Sequence, residues 1–174
     1  MAYLKSNDLF GILHPERIYE LISRPIIIAD HFLTPENMGS LIRLANNIGA
    51  QHLYFLGKAP TNSIGKLRKA AASSKNSTIW SFTEDDITTL IPRDVCLVAI
   101  ETTDDASNIY ETELPENIAF VLGNEGKGIS EEILQRCSKK VYIPVPGQNC
   151  SLNVTHAASV AFFEWHRQMC LIKR

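Results

Sequence analysis

A chain of 174 residues that is 45% hydrophobic and 21% charged has the profile of a globular protein and the length of one domain. Its formal net charge of -2 excludes a global polycation, so any contact with nucleic acid has to come from local basic patches. No stretch approaches the ~20 apolar residues of a membrane span, and Met1 to Phe10 lacks the apolar core of a secretion signal. The four cysteines, Cys96, Cys137, Cys150 and Cys170, are scattered and form no Cys-x-x-Cys pair. A zinc or other metal site is therefore not expected, and the thiols are expected to be reduced, in the cytoplasm.

After a polar start, His14 to Ile22 has helical spacing, with Ile18, Leu21 and Ile22 on one side, and Pro25 ends it. Pro25 to Ala29 reads as a buried strand. Thr34 stands as a cap for the next helix, with Pro35 at its first position and Glu36 in its first turn. Met38, Leu41, Ile42, Ala45 and Ile48 form that helix's apolar stripe, and Gly49 stops it. A second strand is expected over His52 to Gly57, a basic, alanine-rich helix over Ser63 to Ala72, and a third strand over Thr78 to Phe82. A short helix follows over Glu84 to Leu90. Val95 to Ile100 and Ile118 to Leu122 are near-continuous apolar runs, which suit strands covered on both faces. Ser130 is expected to cap a helix reaching about Cys137. Val141 to Val145 reads as the sixth strand and Leu152 to Ile172 as the closing helix. This alternation predicts an α/β fold, a mostly parallel sheet flanked by helices on both faces. Ligands bind beyond the carboxyl ends of the strands in such sheets. That puts Asp30 to Asn37, Glu101 to Asp105, Gly123 to Gly128 and Pro146 to Asn153 on one edge.

Three segments of that edge carry chemistry. In Asn37-Met38-Gly39-Ser40-Leu41-Ile42-Arg43, a glycine inside a helix costs ~1 kcal/mol relative to alanine and admits a close neighbour. Arg43 follows one turn later on the same face. It is either an arginine ready to grip a phosphate with both arms or a surface arginine of an amphipathic helix. Leu122-Gly123-Asn124-Glu125-Gly126-Lys127-Gly128 follows a buried strand and is rich in glycine. Its spacing fits neither a dinucleotide fingerprint nor a P-loop, and Glu125 would repel a phosphate. It suits a ligand carrying positive charge, or it is a tight turn with solvated charges. In Ile143 to Val154, two prolines and a glycine break a strand pattern. Ser151 and Asn153 then fall in the first turn of the closing helix, where backbone N–H groups are unpaired. That makes a small polar cup, or an ordinary strand-to-helix connection. His156 is too close to Ser151 in sequence for a Ser-His-Asp triad and reads as a packed or surface histidine.

Taken together, these segments resemble the SpoU-type RNA 2′-O-ribose methyltransferases of the SPOUT superfamily. Asn37, Gly39 and Arg43 match that family's first motif, and Leu122, Gly123, Glu125 and Gly128 match its second. Ile143, Pro144, Gly147, Ser151, Leu152, Asn153 and Val154 match its third. The resemblance covers about Ile26 to Trp165. It implies one methyltransferase domain over 1–174, with an N-terminal helical segment over 1–24 and a cofactor-binding part, tied in a deep trefoil knot, over about 118–172. It also implies S-adenosylmethionine as cofactor and a homodimer with the active site at the subunit interface. Ile100, Glu101, Gly123, Ile143, Ser151 and Leu152 would hold the cofactor. Arg43 would be the central catalytic residue, with Asn37, Glu125, Ser151 and Asn153 shaping the site.

The implied reaction moves a methyl group from S-adenosylmethionine to a ribose 2′-hydroxyl in tRNA or rRNA. It needs the two reactants positioned and the hydroxyl proton removed. Arginine has a pKa above ~12, so the safer role for Arg43 is gripping the phosphate beside the target ribose. RNA contacts are expected from Arg43 and from Lys66, Arg68 and Lys69, with Lys75 just beyond; Lys139 and Lys140 form a second basic pair. Two other functions compete: a non-catalytic RNA-binding or RNA-assembly module that keeps the fold, and a nucleotide-binding α/β module. The stretch before Pro25 shows no separate RNA-binding domain, which leans towards tRNA.

Overall fold

The apolar runs of this chain assemble into a parallel sheet whose elements follow in the order the periodicity predicts, with additions at Ser6–Leu13 and Ser107–Asn108. The computed structural model describes residues 3–60, 64–71 and 78–173. Along the chain lie α1 (Ser6–Leu13), β1 (Ile26–Asp30), α2 (Pro35–Ile48), β2 (His52–Leu56), α3 (Ile64–Ala71), β3 (Ile79–Thr83) and α4 (Ile87–Leu90). They are followed by β4 (Cys96–Ile100), β5 (Ser107–Asn108), β6 (Ile118–Leu122), α5 (Glu131–Arg136), β7 (Lys139–Tyr142) and α6 (Val154–Ile172).

The seven strands lie in the order β3-β2-β1-β6-β4-β7-β5, and every pairing is parallel. All residues of β1 and β6 are buried, which explains their unbroken apolar runs: both faces of the central pair are covered. On one face α2 and α6 supply Leu41, Ile42, Ala45, Phe162 and Trp165. Phe120 from β6 packs on Phe162 at 4.6 Å and edge-on to Trp165 at 6.1 Å. The Trp165 indole N–H donates to the Pro115 carbonyl at 2.9 Å, so its polar end is not left bare. The other face is covered more thinly, by Ile87, Ile91, Ile129 and Ile133 over Ile28, Ala99, Ala119 and Val121.

Helix α2 spans the residues its pattern predicts, with Met38, Leu41, Ile42, Ala45 and Ile48 buried. Gly49 ends it at φ +67, and its N–H returns to the carbonyls of Ala45 and Asn46. Several expectations are corrected. His14 to Ile22 is not an α-helix: Pro15–Glu20 is a 3-10 turn, preceded by α1, which periodicity does not reveal because none of its residues is buried. His14, at φ 47, separates the two. The strand expected at Val141–Val145 is shifted to Lys139–Tyr142, and β5 adds a seventh strand to the six expected. The closing helix starts at Val154, so Ser151 and Asn153 precede it; Asn153 is its cap, accepting from the Thr155 N–H at 2.9 Å. Neither Thr34 nor Ser130 caps its helix through its side chain.

Candidate functional site

The carboxyl ends of β4, β6 and β7, with the start of α2, open onto one cleft of about 450 Å³. Its back wall is the turn after β6. Asn124 and Gly128 pair antiparallel through both backbone hydrogen bonds, at 3.0 and 2.9 Å. This closure needs Gly123: a Cβ there would lie 2.4 Å from the Gly128 carbonyl carbon and the Ile129 nitrogen. Gly128 has φ +71 and lies under the Glu101 carboxylate, which accepts from the Ile129 N–H at 3.1 Å. Asn124 pins the turn from inside. Its side-chain oxygen Oδ1 accepts from the Gly126 and Lys127 N–H groups, and its side-chain amide donates to the His31 carbonyl at 2.6 Å. Asp30, buried at the end of β1, accepts from the Ser130 N–H at 2.7 Å and from His31 at 2.6 Å.

The three sequence segments meet through side chains. The Glu125 carboxylate accepts from the Leu33 N–H at 2.9 Å, the Thr34 N–H at 3.1 Å, the Thr34 hydroxyl at 2.5 Å and the Asn37 amide at 2.8 Å. An acidic group thus sits at the start of α2, where unpaired N–H groups favour negative charge. Asn37 in turn accepts from the Asn153 amide at 3.1 Å. Glu125, Asn37 and Asn153 form one chain of hydrogen bonds along the cleft.

Glu125, expected to shape the site, stays negative, and its oxygens are committed to ordering the start of α2. Partial burial pushes its pKa up, and the hydrogen bonds from Thr34, Asn37 and Leu33 outweigh that, holding it at about 2 against an ordinary 4.5. A carboxylate depressed in the folded state contributes stability above its unfolded pKa, and that contribution fades as pH falls from about 4.5 through about 2. A 13C-carboxyl NMR titration should therefore give Glu125 a midpoint near pH 2; a midpoint near 4.5 would mean that the tie does not form in solution.

Ile100, Glu101, Gly123, Ile143, Ser151 and Leu152 all line the cleft, as do Asn37, Glu125 and Asn153. Arg43 does not. It is exposed on α2, while Gly39, expected on the same face, is buried. Arg43 makes no hydrogen bond or ion pair with any described residue. His156 is exposed in the first turn of α6. Lys69 is exposed; the side chains of Lys66 and Arg68, and all of Lys75, lie outside the described residues. The pair Lys139 and Lys140 has partners within the chain. The Lys139 ammonium donates to the Glu113 carbonyl at 3.1 Å, and that of Lys140 pairs with Asp105 at 2.7 Å. Sequence reasoning missed Thr34 as a donor to Glu125, and Asn124 and Asp30 as anchors of the glycine turn. Thr34 was visible only as a cap, and nothing local marks the other two.

Among the described residues no group of three or more His, Cys, Asp or Glu could hold a metal ion, and no helix is long and apolar enough to cross a membrane.

A glycine-built cleft at the carboxyl edge of a parallel sheet is the place where α/β proteins hold small polar ligands. Residues 24–163 match the SpoU rRNA methylase family, and the chain belongs to that family. It is 28% identical over 150 residues to a tRNA (guanosine(18)-2′-O)-methyltransferase of Aquifex aeolicus, covering 82% of this chain and 69% of that protein. The chain spans about two thirds of the length of the first curated relatives it matches. Among solved structures, it is similar to one described as giving insights into the 2-OH methylation of C/U34 on tRNA. The TM-score is 0.74 at 25% identity, over 87% of this chain and 98% of the other. The SpoU methyltransferase AviRb of Streptomyces viridochromogenes, in complex with AdoMet, shares the fold. Its TM-score is 0.75 at 24% identity, over 90% of this chain and 64% of that one.

Proposed function

We propose that this protein transfers a methyl group from S-adenosylmethionine to a ribose 2′-hydroxyl of tRNA or rRNA. The observation that carries this reading is the Glu125–Asn37–Asn153 chain, which draws three distant family motifs together at one cleft. The cleft fits the cofactor. Its volume lies within the ~300–1,000 Å³ usual for small-molecule sites. Glu101 and Glu125 line it and none of its described lining residues is basic, which favours a cationic sulfonium over a polyphosphate. That argues against a nucleotide-binding module. Ile100, Ile143 and Leu152 offer apolar contact, and the turn at Gly123 lets backbone approach the ligand.

When bound, S-adenosylmethionine supplies an electrophilic methyl group on a positively charged sulfur. The chain's own residues position the two reactants, and the hydroxyl proton leaves to water as the methyl–sulfur bond breaks. Glu125 holds Asn37, and Asn37 and Asn153 fix each other's amides at the cleft mouth. Ser151, an exposed residue of the cleft lining, orients the ribose hydroxyl. Arg43 remains protonated at neutral pH and grips the phosphate beside the target ribose with two N–H donors. Its position outside its own chain's cleft supports a homodimer in which the site is completed at the subunit interface. The exposed apolar residues Leu152, Phe163, Leu171 and Ile172 support such an interface as well. The part over about 118–172, where β6 inserts between β1 and β4, is read as a deep trefoil knot. Lys69 and its α3 neighbours Lys66 and Arg68 extend the RNA contact, in a cytoplasmic enzyme of one domain. tRNA is the first substrate to test, because one similar solved structure is described as concerned with the 2-OH methylation of C/U34 on tRNA.

The test is transfer of tritiated methyl from S-adenosylmethionine to unmodified tRNA and to rRNA. The label is expected in alkali-resistant dinucleotides, the mark of a 2′-O-methyl group. Label confined to bases, or RNA binding without transfer, would overturn the reading, the latter in favour of a non-catalytic module.

A further inference from the structure

Lys127 sits at the tip of the glycine turn, between Gly126 and Gly128, both of which line the cleft. It is exposed, and its ammonium makes no hydrogen bond or ion pair with any described residue. Several other cations of the chain are neutralised. Arg136 is tied to Asp86 and Glu132, Lys140 to Asp105, Arg167 to Glu164 and Lys173 to Glu116. The natural partner for Lys127 would be its neighbour Glu125, two residues back. That carboxylate faces the other way, held by Leu33, Thr34 and Asn37. The backbone that carries Lys127 is fixed as well: its N–H donates to the Asn124 side chain at 3.1 Å, inside the Asn124–Gly128 bridge. A rigid turn therefore holds an unneutralised positive charge between two glycines that line the cleft, on a residue that is not itself part of the lining.

We propose that Lys127 is an RNA-binding residue, contacting a backbone phosphate of the strand that presents the target ribose. This rests on the reading of the cleft as a methyl-transfer site acting on RNA. An ammonium on a flexible stem suits a phosphate as a point charge rather than a base edge. The contact adds affinity without sequence preference, and it releases counterions from the RNA.

The test measures the dissociation constant of the full-length protein for unmodified tRNA across a salt series, for wild type, Lys127→Ala, Lys127→Arg and Arg93→Ala. Arg93 is the control: it is exposed and precedes β4, at the opposite edge of the sheet. Lys127→Ala should bind several-fold more weakly, and its slope of log affinity against log salt should be shallower by about 0.7–0.9, the loss of one phosphate contact. Lys127→Arg should restore both, and Arg93→Ala should leave both unchanged. Binding of S-adenosylmethionine, followed by calorimetry, should be equal in all four. An unchanged slope in Lys127→Ala would overturn the proposal. So would a loss of S-adenosylmethionine binding in that variant, since the residue would then be shaping the turn. The methyl-transfer assay on wild type reports separately on the enzymatic reading.

Discussion

Methyl transfer to RNA is expected to fall about 10²–10³-fold when Arg43 is replaced by alanine, the loss typical of removing one positioned charged donor. The fold should not register the change. Arg43 is exposed and makes no hydrogen bond or ion pair with a described residue, so the stability change should stay within about 0.5 kcal/mol. The activity loss should appear with S-adenosylmethionine affinity intact, because Arg43 does not line the cleft of its own chain. Arg43→Lys is informative beside it: the charge remains, but the planar two-donor grip is gone, and most of the activity should go with it. Full activity in Arg43→Ala would remove this residue from the mechanism altogether.

Gly123→Ala is expected to abolish cofactor binding by a different route. The added methyl would lie 2.4 Å from two backbone atoms, the Gly128 carbonyl carbon and the Ile129 nitrogen. Backbone cannot swing aside as a side chain does, so the turn must open. Overpacking of this kind costs about 1–3 kcal/mol, and the Asn124–Gly128 bridge is the first thing to give way. Because Glu125 sits in that turn, its grip on Leu33, Thr34 and Asn37 should loosen too. Calorimetry with S-adenosylmethionine and a thermal melt, run together, check both effects. A variant that binds the cofactor like wild type would show that the turn is not the cleft's back wall.

How much was legible follows from where the information is local. Helix α2 was readable to its ends because Thr34-Pro35 and Gly49 bracket a 3.6-residue apolar stripe. Strands β1, β4 and β6 were readable because burial on both faces removes polar alternation. β7 was misplaced because Lys139 and Lys140 read as loop. In the sheet, β5 covers only Val141 and Tyr142 on that side, leaving the two lysines on an open edge where such residues are tolerated. β5 itself is two residues long and has no periodicity to detect. In the site, the glycine turn and the polar residues before α6 were visible as segments. Their coupling was not. The hydrogen bonds from Thr34 to Glu125 join residues 91 apart, and the one from Asn153 to Asn37 joins residues 116 apart. Only the fold brings such pairs within reach, so the true work of Glu125 could not be read from its neighbours.

The strand order has a kinetic side. β6 lies between β1 and β4, so the sheet's middle stays open while the first three strands and β4 are being synthesised. A chain emerging from the ribosome holds β1 with one edge unpaired until β6 arrives. Non-local pairing of this kind makes folding slow and exposes sticky edges on the way. The cleft depends on the same late arrival, since its back wall follows β6 directly. Activity should therefore appear only after nearly the whole chain has been made, and truncations behind β4 should be chaperone clients rather than weakened enzymes.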